Sequence, residues 1–156
     1  MDRFYGFEPV FDRNSRVLIL GSFPSVKSRM ASFYYGNPQN RFWRTLCEAF
    51  GSPLVTTVEE KKRLCLANGV ALWDIVSSCY IEGSMDANIT DPTLVGLSRI
   101  IDVCNIDKIL CNGATAYKLT TAVYKGDIPV YKLGSTSSAN RRFNKDEWIE
   151  HLKIKQ

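Results

Sequence analysis

Short apolar runs that alternate with stretches of helical periodicity predict an α/β fold for this chain: a three-layer α/β/α sandwich with a central four-stranded parallel sheet. The prediction rests on three features. Residues 16–21 (RVLILG), 70–76 (VALWDIV), 107–112 (DKILCN) and 128–133 (IPVYKL) are continuous rather than alternating in their apolar character, as strands buried on both faces are. The intervals between them are long enough for helical crossovers, and such crossovers make strands parallel. No internal repeat, low-complexity tract or Pro/Ser-rich linker interrupts the 156 residues, so one domain spanning 1–156 is expected.

Helices are expected over residues 40–50, over 57–68 where T-V-E-E has capping-box character, over 93–104 with Pro92 at the entry, over 114–125 and over 145–153. In an open parallel sheet the ligand crevice lies beyond the carboxyl ends of the strands. Functional residues are therefore sought in the loops after Gly21, Val76, Asn112 and Leu133.

With apolar residues at 45%, the chain can bury a core without disulfides or metal staples. Its 20 basic and 16 acidic residues leave a formal charge of +4, which permits nucleic acid as a partner without requiring it. The cysteines Cys47, Cys65, Cys79, Cys104 and Cys111 stand singly, form no C-x-x-C pair and match no iron–sulfur spacing. They are expected reduced and mostly buried, with no metal site. His151 lies in a charged stretch far from any motif that could use a general base, and a surface position suits it. No signal-peptide pattern opens the chain, and no apolar stretch approaches the roughly 20 residues that span a bilayer. A cytoplasmic protein without membrane association is expected.

The first loop, GSFPSVKS, lacks both G-x-G-x-x-G and G-K-[ST], so the common nucleotide-binding readings weaken. It offers small residues and backbone N–H groups at a strand end, suited to a carbonyl or a developing anion. The segment YYGNPQNRFW, residues 34–43, gathers aromatics and two asparagines around a proline before a helix. Phe42 and Trp43 suit packing of that helix, and Asn37 before Pro38 suits a turn. Asn40 is either a helix cap or a site residue. The last loop, LGSTSSANRRF, is rich in hydroxyls and followed by adjacent arginines, which suits phosphate but also a plain polar loop.

The order GSFPS, YYGNPQNRFW, ALWDIVSSC with GSMDANI, CNGATAY and LGSTSSAN resembles the hypoxanthine-DNA glycosylase family of the uracil-DNA glycosylase superfamily, from about residue 16 to residue 143. The NP-x-NRFW element is also similar to that of mismatch-specific uracil glycosylases. The fold this implies agrees with the one derived above. The chain departs from the pattern at Phe23, where mismatch-specific relatives place a water-positioning asparagine, and at Gly134 and Ser138, where the last motif usually carries prolines.

The resemblance implies a monofunctional glycosylase that hydrolyses the N-glycosidic bond of a flipped, deaminated base, most naturally hypoxanthine in deoxyinosine. Asn40 is then the residue that positions water, and backbone N–H groups near Ser22 and Phe23 stabilise the departing base. Tyr35 stacks on the base. Asp74 reads the base edge, or else caps a turn or pairs with an arginine. Ser25, Ser135, Thr136, Ser137, Asn140 and Arg141 are assigned to DNA contact, and Arg142 or Phe143 to a wedge in the base stack. No lysine occupies a motif position suited to Schiff-base attack, and no cofactor is implied. A monomer acting on DNA with a deaminated base is expected. A uracil-specific enzyme and a catalytically silent DNA- or nucleotide-binding module remain the rival readings.

Overall fold

The computed structural model describes residues 2–154. In chain order the elements are β1 (Phe4–Tyr5), β2 (Val17–Gly21), α1 (Val26–Ala31), α2 (Phe42–Ala49), α3 (Val58–Ala67), β3 (Val70–Asp74), β4 (Val76–Tyr80), a 3₁₀ turn (Asp86–Asn88), β5 (Thr90–Leu94), α4 (Ser98–Ile101), β6 (Lys108–Asn112), α5 (Ala114–Val123), β7 (Val130–Leu133) and α6 (Lys145–Leu152). The four expected strands pair in parallel in the order β3-β2-β6-β7. Val17 to Leu20 are fully buried, as a strand covered on both faces demands.

Alternate residues of these strands enter two separate cores. Ile19, Leu72, Leu110 and Leu133 pack with Phe42, Trp43 and Leu46 of α2, Leu64 of α3 and Trp148 of α6. Leu18, Leu20, Ala71, Trp73 and Ile109 face the other way, toward Ile100 of α4 and Ala116 of α5. The sandwich therefore has the three expected layers. All five cysteines are buried and unpaired, and His151 is half-buried with its ring edge on Tyr131. Among the described residues no helix is long and apolar enough to cross a membrane.

Two expectations need correction. The run 70–76 is not one strand. β3 stops at Asp74, the Ile75 and Val76 N–H groups donate to the carbonyls of Gly21 and Ser22, and the chain leaves as β4. There it forms a second, antiparallel sheet in the order β1-β4-β5. The helix expected over 93–104 shrinks to the single turn Ser98–Ile101, because Thr93 and Leu94 belong to β5 and Gly96 breaks the periodicity. Pro92 does not open a helix; it lies in β5, an edge strand, where a missing N–H is tolerated.

Helix α3 begins with the capping box read from T-V-E-E. The Thr57 hydroxyl accepts from the Glu60 N–H at 3.1 Å, and the Glu60 carboxylate accepts from the Thr57 N–H at 3.0 Å. Thr57→Ala should lower the unfolding free energy by about 1 kcal/mol, read as a shifted denaturant midpoint at unchanged slope.

Candidate active site

The carboxyl ends of β2, β3 and β6 open into a cleft of about 820 Å³. Its floor is set by β2 and β3, whose parallel register places Gly21 beside Asp74. A Cβ at position 21 would lie 2.4 Å from Asp74 Oδ1 and 3.0 Å from the Tyr35 hydroxyl, so only glycine leaves room for both groups. The Asp74 side chain faces this cleft from a position that is 6% exposed. It has no cation or hydrogen-bond partner among the described residues, so it neither caps a turn nor pairs with an arginine. Burial, with a smaller contribution from the Asp86 carboxylate, pushes its pKa up to about 7.

Tyr35 is a strained residue, held at φ +51°. Its ring stacks on Phe42 with centroids 3.9 Å apart at 25°, while the ring also lines the cleft. The hydroxyl is buried without a hydrogen-bond partner. Burial first, and the Asp74 charge second, raise its pKa, so it stays protonated.

One wall is the first loop and the turn that follows β4. The Ser25 hydroxyl caps α1 by accepting from the Ser28 N–H. Ser22 donates from Oγ to Asp86 Oδ1 at 2.7 Å, and the Val26 N–H donates to Ser84 Oγ at 2.8 Å. Phe23 packs into the second core, so its contribution at the cleft is its backbone. Among the described residues no acceptor takes the N–H of Ser22 or Phe23.

The opposite wall is the loop after β7, and Arg41 holds it. The Arg41 N–H donates to the Thr136 carbonyl at 3.0 Å, while Nη2 donates to the carbonyls of Asn140, at 2.7 Å, and Ser137. The guanidinium also lies 4.5 Å over the Phe143 ring. Asn112, at the end of β6, pairs with Thr136 in both directions: its Nδ2 donates to Oγ1 and its Oδ1 accepts from the backbone N–H, each at 3.0 Å. Thr136 is thereby turned inward, at 1% exposure. Ser135, Ser137 and Asn140 remain half-buried on the cleft lining.

Asn40 lies between these walls, at the entry of α2. Its Oδ1 accepts from the Phe42 N–H at 2.9 Å, a turn bond just ahead of α2, whose N-cap position is Arg41. That bond also fixes the plane of an amide that lines the cleft, and it leaves Nδ2 and one Oδ1 lone pair uncommitted. The structure thus brings together every expected site residue except Arg141, which is exposed outside the lining. Phe143 is half-buried under Arg41 and packed on the first core, which removes it as a wedge. Arg41, Asn112 and Asp86 had no role assigned from sequence. Arg41 acts on carbonyls 95 to 99 residues away, a pairing with no local signature.

A family model described as the uracil DNA glycosylase superfamily matches residues 8–153. A hypoxanthine DNA glycosylase of Methanosarcina acetivorans is 37% identical over 148 residues, covering 92% of this chain and 94% of that protein. One from Methanosarcina barkeri is 33% identical over 153 residues, covering 95% and 97%. The solution NMR structure of an M. acetivorans protein, provisionally assigned as a uracil DNA glycosylase, superimposes with a TM-score of 0.85 at 33% identity, covering 98% of this chain and all of that one.

Two outcomes test the geometry. Arg41→Ala should loosen the last loop, raising hydrogen exchange at residues 135–140 by an amount equivalent to about 2 kcal/mol of lost protection, with core exchange unchanged. Asp74 should cost stability at high pH. Its folded pKa, about 7, stands above the ordinary 3.8, so the folded state favours the proton, and stability falls as pH rises from about 4 through 7. Asp74→Asn should therefore melt higher than the parent at about pH 8, and the gap should close toward pH 4.

Proposed function

As a member of the uracil DNA glycosylase superfamily this chain is a DNA glycosylase acting on deaminated bases, and we propose that its base is hypoxanthine. The observation that carries the reading is the unpaired Asp74 carboxyl at the floor of the cleft, which suits a base with an imino N–H. An ionised carboxylate only accepts hydrogen bonds. Hypoxanthine presents an N1–H donor, whereas adenine presents a lone pair at N1, so the ionised form attracts the deaminated purine and repels the normal one. Uracil offers the same kind of donor at N3, so the choice of hypoxanthine over uracil rests on the relatives named hypoxanthine DNA glycosylase.

In this reading the target nucleotide leaves the stack, a step that costs a few kcal/mol and least at a mismatch, which a deaminated base already forms. Tyr35 receives the base on the side of its ring away from Phe42, where the residue lines the cleft. As the glycosidic bond breaks, its electron pair departs with the base, and the unoccupied N–H groups of Ser22 and Phe23 stabilise the negative charge. Water adds to the sugar carbon and loses a proton to solvent. Asn40 orients that water through its uncommitted amide positions; an amide lacks the basicity to do more. Ser25, Ser135, Ser137, Asn140 and Arg141 contact the DNA backbone, with Thr136 shaping the loop from beneath. The chain works as a single-domain monomer and leaves the abasic strand intact.

Single-turnover release from matched duplexes carrying hypoxanthine, uracil or xanthine, followed as alkali-labile sites, tests the reading. Hypoxanthine should leave fastest, at a rate that rises with pH through about 7 as Asp74 ionises. Asp74→Asn should flatten that rise. Asn40→Ala should fold, bind, and lose on the order of 100- to 1000-fold in rate. Equal release by folded Asn40→Ala would remove its role, faster release of uracil would reassign the base, and binding without any release would leave a silent module.

A further inference from the structure

We infer that Met85 enters the base stack of the duplex and fills the space vacated by the flipped nucleotide, an inference that rests on the glycosylase reading of the cleft. Among the described residues ten large hydrophobic side chains are exposed, and of these only Val26 and Met85 line the cleft. Met30, though 80% exposed, does not. Val26 is short, β-branched and 38% exposed, whereas Met85 is unbranched and 66% exposed. A singly exposed apolar side chain is ordinary on a protein surface, but one at the mouth of the base pocket stands where an opened duplex presents the faces of two unstacked bases.

The backbone around Met85 is anchored on both sides. Ser84 accepts from the Val26 N–H and Asp86 accepts from the Ser22 hydroxyl. The carbonyl of Gly83 accepts from Arg29 Nη2 at 2.7 Å, and the Asn88 N–H donates back to the Met85 carbonyl at 2.9 Å. The turn is thus tied to the first loop and to α1 by three bonds, while the Met85 side chain is largely exposed. Such a mount transmits the push of a wedge to the fold. A flexible, polarisable thioether also adapts to the irregular gap between bases and contacts their π faces well. The competing positions are weaker: Phe143 is pinned beneath Arg41, and Arg142 would have to bring its charge into the stack.

The test uses the intact protein with a duplex carrying hypoxanthine beside 2-aminopurine, whose fluorescence rises on unstacking, and a single strand of the same sequence. A second duplex carries a stable abasic analogue in place of hypoxanthine, so the reporter can be read without base release. Wild-type protein should raise the fluorescence on both duplexes, Met85→Ala should not, and Met85→Leu should restore most of the rise. Met85→Ala should also release hypoxanthine on the order of tenfold more slowly from the duplex, with a much smaller loss on the single strand. A fluorescence rise undiminished in Met85→Ala, or equal losses on duplex and single strand, would overturn the wedge. A Met85-dependent rise from a protein that releases no hypoxanthine would uphold the wedge and overturn only the choice of base.

Discussion

Gly21 ends β2 beside Asp74 at the end of β3, and the space a Cβ would take at position 21 is shared by the Asp74 carboxyl and the Tyr35 hydroxyl. The rest of the cleft is arranged around that close approach. Because the Gly21 and Ser22 carbonyls accept from Ile75 and Val76, β3 is forced to end at Asp74 and the chain to depart into the second sheet. The carboxyl is thereby left facing inward with no cation to neutralise it. Tyr35 reaches the same point only by adopting a left-handed backbone and lying flat on Phe42. Neither group sits there for stability: a buried unpaired carboxyl and an orphaned hydroxyl are both costs that a packed core could avoid.

The opposite wall meets a different demand. Gly134 and Ser138 stand where a stiffer backbone would be expected from the resemblance, yet the loop is held by hydrogen bonds instead. Arg41 gathers three of its carbonyls, Asn112 pairs with both sides of Thr136, and Asn140 donates from Nδ2 to the Ser135 carbonyl at 2.9 Å. Trp148 closes the base of the loop by donating from Nε1 to the Gly134 carbonyl at 2.8 Å. Arg41 directly precedes α2, and Asn40, one residue earlier, orients its own amide on that helix start. The trade is rigidity from side chains in place of rigidity from proline rings, and it joins Asn40, proposed to position water, and the loop proposed to contact the DNA backbone to one helix end.

What could be read from sequence follows from how local its physical cause is. The strands of the parallel sheet were legible because burial on both faces leaves a continuous apolar run, and the crevice was legible because parallel topology fixes which strand ends meet. Asp74 drew attention through the resemblance, but its place at the end of the strand was not legible, because the apolar run continues through Ile75 and Val76. The second sheet was not legible: β1 has two residues, β5 reads T-D-P-T-L, and both depend on β4 for their pairing. Helix α1 is a six-residue turn whose only cue is the Ser25 cap. Arg41 and Asp86 act across the fold on partners that sequence spacing does not relate, so their types alone announced surface charge.

Asp74 has its pKa near neutrality, which bears on how undamaged DNA is spared. On the proposed reading, the protonated carboxyl could donate to adenine N1, so the carboxylate rejects adenine fully only when ionised. A second filter therefore matters near neutral pH. Adenine paired with thymine pays the whole cost of unpairing before it meets Asp74, whereas hypoxanthine opposite thymine is mismatched and pays less. Flipping selects for weak pairing, and the carboxylate then selects for an N–H donor among the bases that have left the stack. The two selections act on different properties of the base, so their free energies combine, and neither has to supply the whole discrimination. To be fully ionised already at neutral pH, a carboxylate at this depth would need a cation beside it, and that cation would compete with the base for its lone pairs. The unpaired, half-ionised state is the compromise that keeps the acceptor open.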